Sequence, residues 1–310
     1  MTLVRLSAIV VAFGKEELLE ACLASLEAAL ARVEGETELI VVVNDVDDNL
    51  GFAGGVAAGL ARARGDWIAL VNDDCTLEPG ALAALLAAAE GRPDVGSVAA
   101  QVRFAGDGGT INSAGIEIDE LGVARERRLG EPVTAIDAEA VEVFGASATL
   151  ALYRRAMLDA VGGLDVSFFA YLEDADLAWR ARMAGWTCVL APGAIGVHHH
   201  SATLGHGSKA KHLHVGRNRV RMLAKNASGR QLRRKLPAIV AYDLLYVAGA
   251  AVADRTLAPL VGRLQGVGDW RAYRREGRSQ RREIELSRAP GVRAARRRTR
   301  VYRTAAGAAR

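Results

Sequence analysis

Cysteine is scarce in this 310-residue chain: Cys22, Cys75 and Cys188 are odd in number, far apart and form no C-x-x-C pair. Neither a disulfide framework nor a structural zinc cluster is expected, and a reducing cytoplasm fits best. Histidine is absent outside one stretch, because all six histidines lie between His198 and His214. Aromatic residues make up only 5% of the chain and proline occurs seven times. No basic start, long apolar middle and small-residue cleavage site opens the chain, so Met1 to Ala12 reads as a first strand and not as an export signal. Only one apolar run approaches membrane-spanning length, Leu236 to Ala253, and it carries Asp243 and Pro237. A central Asp costs ~2.5 to 3.5 kcal/mol on insertion, so a membrane-surface or core helix is expected there in preference to a span. With half its residues apolar and a quarter charged, the chain is neither disordered as a whole nor a multi-span membrane protein.

What is present is an uneven charge distribution. Residues 1–216 hold 16 Lys and Arg against 30 Asp and Glu, a net −14, whereas residues 217–310 hold 24 against 6, a net +18. Two regions are therefore expected: an acidic one, 1–216, that carries the chemistry, and a basic helical one, 217–310, suited to an anionic surface. Arginine runs such as Arg296-Arg297-Arg298 lack interleaved aromatics and any reading motif, which argues against nucleic acid as the partner.

Through the first hundred residues strand-length apolar runs alternate with helix-like stretches. Strands are expected at Leu3 to Ala12, Glu38 to Val43, Trp67 to Val71 and Val95 to Val102, with helices at Glu16 to Val33, Ala53 to Ala63 and Ala81 to Ala89. This is the rhythm of βαβ units and a parallel sheet. Short, Gly-rich segments fill 103–142. Helices Arg154 to Ala160 and Asp174 to Ala184, strand Thr187 to Leu190 and a histidine-rich loop follow, with no internal repeat.

Three clusters could carry chemistry. Asn72-Asp73-Asp74 lies just past the third strand, where open parallel sheets bind ligands. Adjacent carboxylates there repel unless donors or a cation compensate, and Mg²⁺ or Mn²⁺ shared with phosphates would do so; an Asx turn capping the next helix is the plain alternative. Glu173-Asp174-Ala175-Asp176 opens a helix after Phe168-Phe169-Ala170-Tyr171. Acids in a first turn ordinarily complement the macrodipole, but three in four positions exceed that need, and apolar neighbours could desolvate one into a general base. His198-His199-His200, with His206, His212 and His214, reads most economically as one imidazole ligand beside carboxylates. Gly51-Phe52-Ala53-Gly54-Gly55 could bring backbone N–H groups to a phosphate or sugar, or could simply permit close helix-to-strand packing. It matches neither G-x-G-x-x-G nor the phosphate-loop pattern.

Taken in order, these motifs resemble the family 2 inverting glycosyltransferases of GT-A fold, especially bacterial rhamnosyltransferase-like members. The resemblance runs over residues 3 to 226 and is strongest from Phe168 through Glu173-Asp174-Ala175-Asp176-Leu177, Arg180-Ala181-Arg182 and Gly185-Trp186 to Arg217-Asn218-Arg219. It implies a Rossmann-like, mostly parallel α/β sheet with flanking helices, followed by the basic helical C-terminal region. It further implies that Ala12, Phe13, Asn44 and Asp45 hold the donor nucleotide, together with Gly54, Gly55, Asn72 and Asp73. Asn72 stands at the first position of the family's D-x-D, and Asn44-Asp45 reverses a common order. Asp74 and His198 would bind Mg²⁺ or Mn²⁺. Gly145 and Ala146, with Ser147, would line the sugar pocket, Asp174 would be the catalytic base, and Glu173 and Asp176 would orient substrate.

The function implied is transfer of a sugar, rhamnose favoured, from a dTDP- or UDP-sugar donor to a lipid-linked saccharide or polysaccharide acceptor. The enzyme would act in cell-envelope assembly, peripherally on the cytoplasmic face of an anionic membrane, with a homo-oligomer left open. Two other readings stay open: an adaptor for membrane or nucleic acid on an α/β scaffold, and a metal-dependent hydrolase that releases sugar without an acceptor.

Overall fold

The computed structural model describes residues 4–14, 16–45, 47–106, 109–199, 208–279 and 281–290. His200, His206 and the Arg296-Arg297-Arg298 run lie outside the described residues.

The βαβ rhythm is present. Strand β1 (Val4–Ala12), helix α1 (Glu16–Leu30), β2 (Glu36–Val43), α2 (Gly51–Leu60) and β3 (Trp67–Asn72) come first. A short β4 (Cys75–Leu77), α3 (Ala81–Ala89) and β5 (Val95–Phe104) follow. Three short strands, β6 (Ile111–Ser113), β7 (Ile116–Ile118) and β8 (Ala124–Glu126), then β9 (Val141–Val143), occupy the Gly-rich stretch. The remainder comprises β10 (Leu150–Arg154), α4 (Arg155–Val161), α5 (Glu173–Met183), β11 (Thr187–His198), α6 (Lys209–Asn226), α7 (Gly229–Ala253) and α8 (Ala258–Glu276).

The main sheet is ordered β2-β1-β3-β10-β5-β11-β4, with β6 beside β5 and β9 beside β11, while β7 and β8 form a separate hairpin. Strands β2, β1, β3, β5 and β11 run one way, and β10 and β4 run against them. The fold is α/β with a sheet dominated by parallel strands, as expected. Because side chains alternate along a strand, Leu6, Ala8 and Val10 of β1 pack with Leu26 of α1 and Leu82 of α3. Ile9 and Val11 pack on the other face with Val56 of α2 and Met157 of α4. Both faces are buried, which is why β1 reads as a continuous apolar run.

Four features depart from the sequence reading. Strand β10, buried between β3 and β5, was not anticipated, since Leu-Ala-Leu-Tyr has no period that separates a strand from the helix following it. Strand β11 does not stop at Leu190. Its pairing with β5 is interrupted between Ala191 and Ile195, around Pro192-Gly193, and then resumes to His198. The glycines of α2 serve packing: a Cβ on Gly55 would lie 2.5 Å from Val11 and one on Gly59 2.5 Å from Ile9. Finally, the division expected between residues 216 and 217 falls inside α6, an unbroken helix. Gly216 meets Pro259 so closely that α6 and α8 pack backbone to backbone.

Candidate active site

The parallel strands end at one rim, and the first acidic pair lies on it. Past β3, the Asp73 carboxylate accepts the Phe13 N–H at 2.8 Å, tying the ends of β1 and β3 together. Burial, reinforced by adjacent Asp74, lifts the Asp73 carboxyl above its usual range. The resumed β11 sets His198 opposite Cys75, so His198 Nε2 lies 3.0 Å from Asp74 Oδ1, both residues buried. On its other side His198 Nδ1 is 3.0 Å from Asn112 Oδ1. His198 is thereby held with Nδ1 toward Asn112 and Nε2 toward the Asp74 carboxylate.

The second acidic cluster is held from behind. Phe169, Tyr171 and Leu172 all have positive φ, between 66° and 70°, a costly conformation for side chains of this size. Asn218 of α6, fully buried, offsets that cost by donating to the carbonyls of Phe168, Ala170 and Tyr171 at 2.8 to 2.9 Å. The strained turn delivers Glu173 and Asp174 at the N-terminus of α5. Asp174 Oδ1 accepts the Ala175 N–H at 2.8 Å and Oδ2 the Ala148 N–H at 3.2 Å. Burial nonetheless raises the Asp174 carboxyl above its ordinary range.

Side chains from four elements join the two clusters. Beside Asn112, Ser113 donates to Glu126 Oε2, and Ser147 donates to Glu126 Oε1 at 3.1 Å. Ser147 Oγ is 3.4 Å from Thr149 Oγ1, and the Thr149 carbonyl accepts the Asn72 N–H. Glu126 is pushed up to about 7 by burial and by the charge of Asp174. Lys211, at the start of α6, holds its ammonium 5.1 Å from the Tyr171 ring centroid; burial lowers its pKa, opposed by Tyr171 and Glu126. The structure thus gathers Asp73, Asp74, His198 and Asp174 along one rim, sets Ser147 of the expected sugar-pocket loop beside them, and adds Glu126, Asn112, Lys211 and Asn218, to which the sequence reading gave no role. Of these added residues only Asn218 lay in a segment already singled out. Glu126 sits among arginines with no local pattern to mark it.

Several expected site residues have other partners. Asp176 is fully buried and faces the fold interior: Oδ2 accepts from Arg180 Nε at 2.8 Å and Oδ1 from Asn226 Nδ2 at 2.7 Å. It braces α5 against α6 and is not available to orient substrate. Asn44 is likewise committed, since its amide donates to the Gly51 carbonyl and accepts from the Leu50 N–H. Asp45 is exposed and caps a local turn through the Asp47 and Asp48 N–H groups. The N-terminus of α2 is closed to a phosphate at Ala53, whose N–H donates to the Phe169 carbonyl at 3.0 Å. There Gly55 meets Val11 and Gly54 meets Leu50. Gly145 packs against Ala178, and the Ala146 carbonyl accepts from the Tyr153 hydroxyl. Ala12 is buried in register with Val43; Phe13 and Asn72 remain at the rim. A separate hollow bordered by Arg5, Trp67, Arg92 and Arg154 lies at the opposite ends of β1 and β3. There Arg154 is engaged by the Val95 and Arg92 carbonyls, so it offers no comparable chemistry.

Glu173 is buried beside both other acids of α5. It is 6% exposed, and its Oε2 is buried without a hydrogen-bond partner among the described residues. Burial, then Asp174 and Asp176, push it up to about 8. Between its unfolded value of 4.5 and about 8, the folded chain keeps a proton that the unfolded chain has released. Raising the pH therefore favours unfolding. Glu173→Gln is expected to match the wild type near pH 5 and to be more stable by a few kcal/mol above pH 8. Denaturant titration at both pH values checks this; equal pH slopes for the two proteins would refute it.

A divalent cation fits Asp74 and His198. The Asn112 contact at Nδ1 orients the ring so that Nε2 could serve as a ligand, an arrangement usual for metal-bound imidazoles, and the facing carboxylate would supply a hard oxygen. No group of three His, Cys, Asp or Glu side chains gathers in metal-holding geometry among the described residues. Two protein ligands suit an ion that takes its other oxygens from phosphates and water.

Residues 45–162 match the profile of Glycosyl transferase family 2. Over those residues the chain is similar to glycosyltransferase family 2 domains. Two curated relatives are similar to it. The uncharacterized protein y4gI of Sinorhizobium fredii is 32% identical over 205 residues, 63% of this chain and 22% of that protein. The N-acetylglucosaminyl-diphospho-decaprenol L-rhamnosyltransferase of Mycobacterium tuberculosis is 33% identical over 159 residues, 48% of this chain and 51% of that enzyme. The chain thus spans about a fifth and about half of their lengths. Among solved structures, GalNAc-T7 with UDP, GalNAc and Mn²⁺ aligns over 87% of this chain and 58% of its own, with a TM-score of 0.55 and 12% identity. The chain therefore has the GT-A fold, followed by a helical C-terminal region.

Proposed function

We propose that this protein is an inverting glycosyltransferase, transferring a sugar from a nucleoside diphosphate to a hydroxyl of a lipid-linked saccharide. The observation that carries the reading is Asp174, a carboxylate made more basic by burial. It is fixed at the head of α5 by the Ala148 and Ala175 N–H groups, on the rim that also bears Asp73, Asp74 and His198. In a single displacement Asp174 takes the acceptor hydroxyl's proton as that oxygen bonds to the anomeric carbon. The bond from that carbon to the diphosphate oxygen breaks on the opposite side, and the diphosphate leaves with the electron pair. Phe13 and Asp73 border the nucleotide, and Asp74 and His198 hold a divalent ion. When bound, Mg²⁺ or Mn²⁺ neutralises charge on the departing diphosphate. Glu126, Ser147 and Lys211 shape the sugar side of the cleft.

Similarity to the mycobacterial rhamnosyltransferase favours L-rhamnose as the sugar and a polyprenyl-diphosphate-linked saccharide as the acceptor; a dTDP donor and action at a cytoplasmic membrane face in envelope glycan synthesis complete the proposal. Calorimetric titration against dTDP- and UDP-sugars, with and without Mn²⁺, tests the reading. One donor is expected to bind, more tightly with Mn²⁺. Failure of every nucleotide sugar to bind would refute it, and release of free sugar at full rate without acceptor would make the protein a hydrolase.

A further inference from the structure

Helix α7 segregates its side chains more sharply than packing on the protein requires. From Leu236 to Ala253 every exposed residue is apolar. Leu244, Leu245 and Val252 are 62%, 74% and 84% exposed. The one acid in this stretch points the other way: Asp243 Oδ1 accepts from Arg219 Nε of α6 at 2.7 Å and from Arg263 Nη2 of α8 at 2.8 Å. Tyr242 and Tyr246 lie on the same inner side, each with an arginine of α6 or α8 4.9 Å from its ring centroid. Next along the chain, Leu257 just before α8 and Leu264 and Val267 on it are exposed as well. Exposed arginines border this apolar surface, Arg233 and Arg234 at one end of α7 and Arg255 just beyond the other, with Arg271 on α8.

An apolar face of this extent, bordered by four exposed arginines and by one acid, Asp254, that faces His212, calls for a partner that is apolar within and anionic at its surface. We propose that the α7–α8 face is a monotopic docking surface for an anionic bilayer. Helix α7 lies in the membrane plane with Leu244, Leu245 and Val252 in the acyl boundary and the arginines among the head groups. The helix is long and apolar enough to cross a membrane. Crossing, however, would break the Asp243 bonds to α6 and α8 or carry a carboxylate and two guanidinium groups into hydrocarbon. A second copy seated on this face would cover the leucines but leave the bordering arginines without anionic partners, since Asp254, the acid beside Arg255, already faces His212.

The surface also lies beside the catalytic rim. Adjacent residues of α6 reach both: Lys211 lies over Tyr171, and His212 Nε2 is 3.2 Å from Asp254 Oδ2, the residue that ends α7. On the function proposed above, this lets the cleft meet a lipid-linked hydroxyl at the height of the head groups.

The test is flotation of the full-length protein with phosphatidylcholine vesicles, with and without phosphatidylglycerol. The wild type is expected to float with the anionic vesicles. The triple variant Leu244→Glu, Leu245→Glu, Val252→Glu, altered only at exposed positions and checked for wild-type circular dichroism and melting, is expected to bind about a hundredfold more weakly at any salt concentration. Arg233→Glu with Arg234→Glu should lose binding mainly at low salt. Nucleotide-sugar binding by calorimetry should be unchanged in all variants. Flotation with no nucleotide-sugar binding would remove the proposed function and leave this surface standing. Undiminished flotation of the triple variant overturns the proposal, as does a wild type that ignores vesicles. A lipid-free dimer that the triple variant converts to monomer, again without flotation, overturns it in favour of a second copy.

Discussion

Asp174→Asn is expected to lower the turnover number about 10²- to 10⁴-fold, the range a positioned general base contributes, while nucleotide-sugar affinity stays within about twofold of the wild type. The substitution keeps an oxygen for the Ala148 or Ala175 N–H and removes the basic site. The pH profile provides the specific readout. Asp174 accepts a proton only when ionised, so activity rises with pH as its carboxyl dissociates. Burial places that limb above the ordinary carboxylate range. The residual activity of the variant should lack this limb. Near-normal turnover on the true acceptor, or an unchanged limb, would assign the base elsewhere.

Asp176→Ala is expected to cost about 3 to 5 kcal/mol of stability, the usual consequence of removing one partner from a buried ion pair. Its carboxylate is fully buried between Arg180 and Asn226, with Lys225 Nζ at 3.6 Å. Arg180 would keep its bonds to the Val161 and Gly163 carbonyls, but its positive charge would lose its buried counter-ion. Denaturant titration measures the loss directly. A change below about 1 kcal/mol would show that Arg180 and Lys225 find other counter-charges. Stability separates the two acids of one helical turn: Asp174→Asn should scarcely alter the denaturation midpoint.

That contrast shows how much of the site is legible in residue order. Glu173, Asp174 and Asp176 are all acids within one helical turn, yet one faces the rim, one is sealed with an oxygen unpaired among the described residues and one braces α5. Helical geometry puts successive residues about 100° apart, but which direction is inward depends on what lies around the helix. Asn226, Lys225 and Arg180 decide it for Asp176. The same holds for Asn72-Asp73-Asp74, where the end of β1 takes Asp73 and the far end of β11 takes Asp74. Of the histidines, His198 reaches a carboxylate of the rim only because β11 resumes after Pro192-Gly193, where a break in apolar pattern read as the strand's end.

Period and punctuation in the sequence were enough for the βαβ order, the acidic pair past β3 and the acid-rich start of α5. Apolar alternation, turn residues and first-turn acids act over distances of one turn or one strand, and a linear pattern records them. Tertiary structure alone decided that Glu126 and Asn112 join the rim, that the α2 glycines pack against β1 and leave phosphates aside, and that α7 turns its only acid inward. Each of these depends on contacts between residues tens of positions apart, whose burial and charge are set by neighbours that no local spacing specifies.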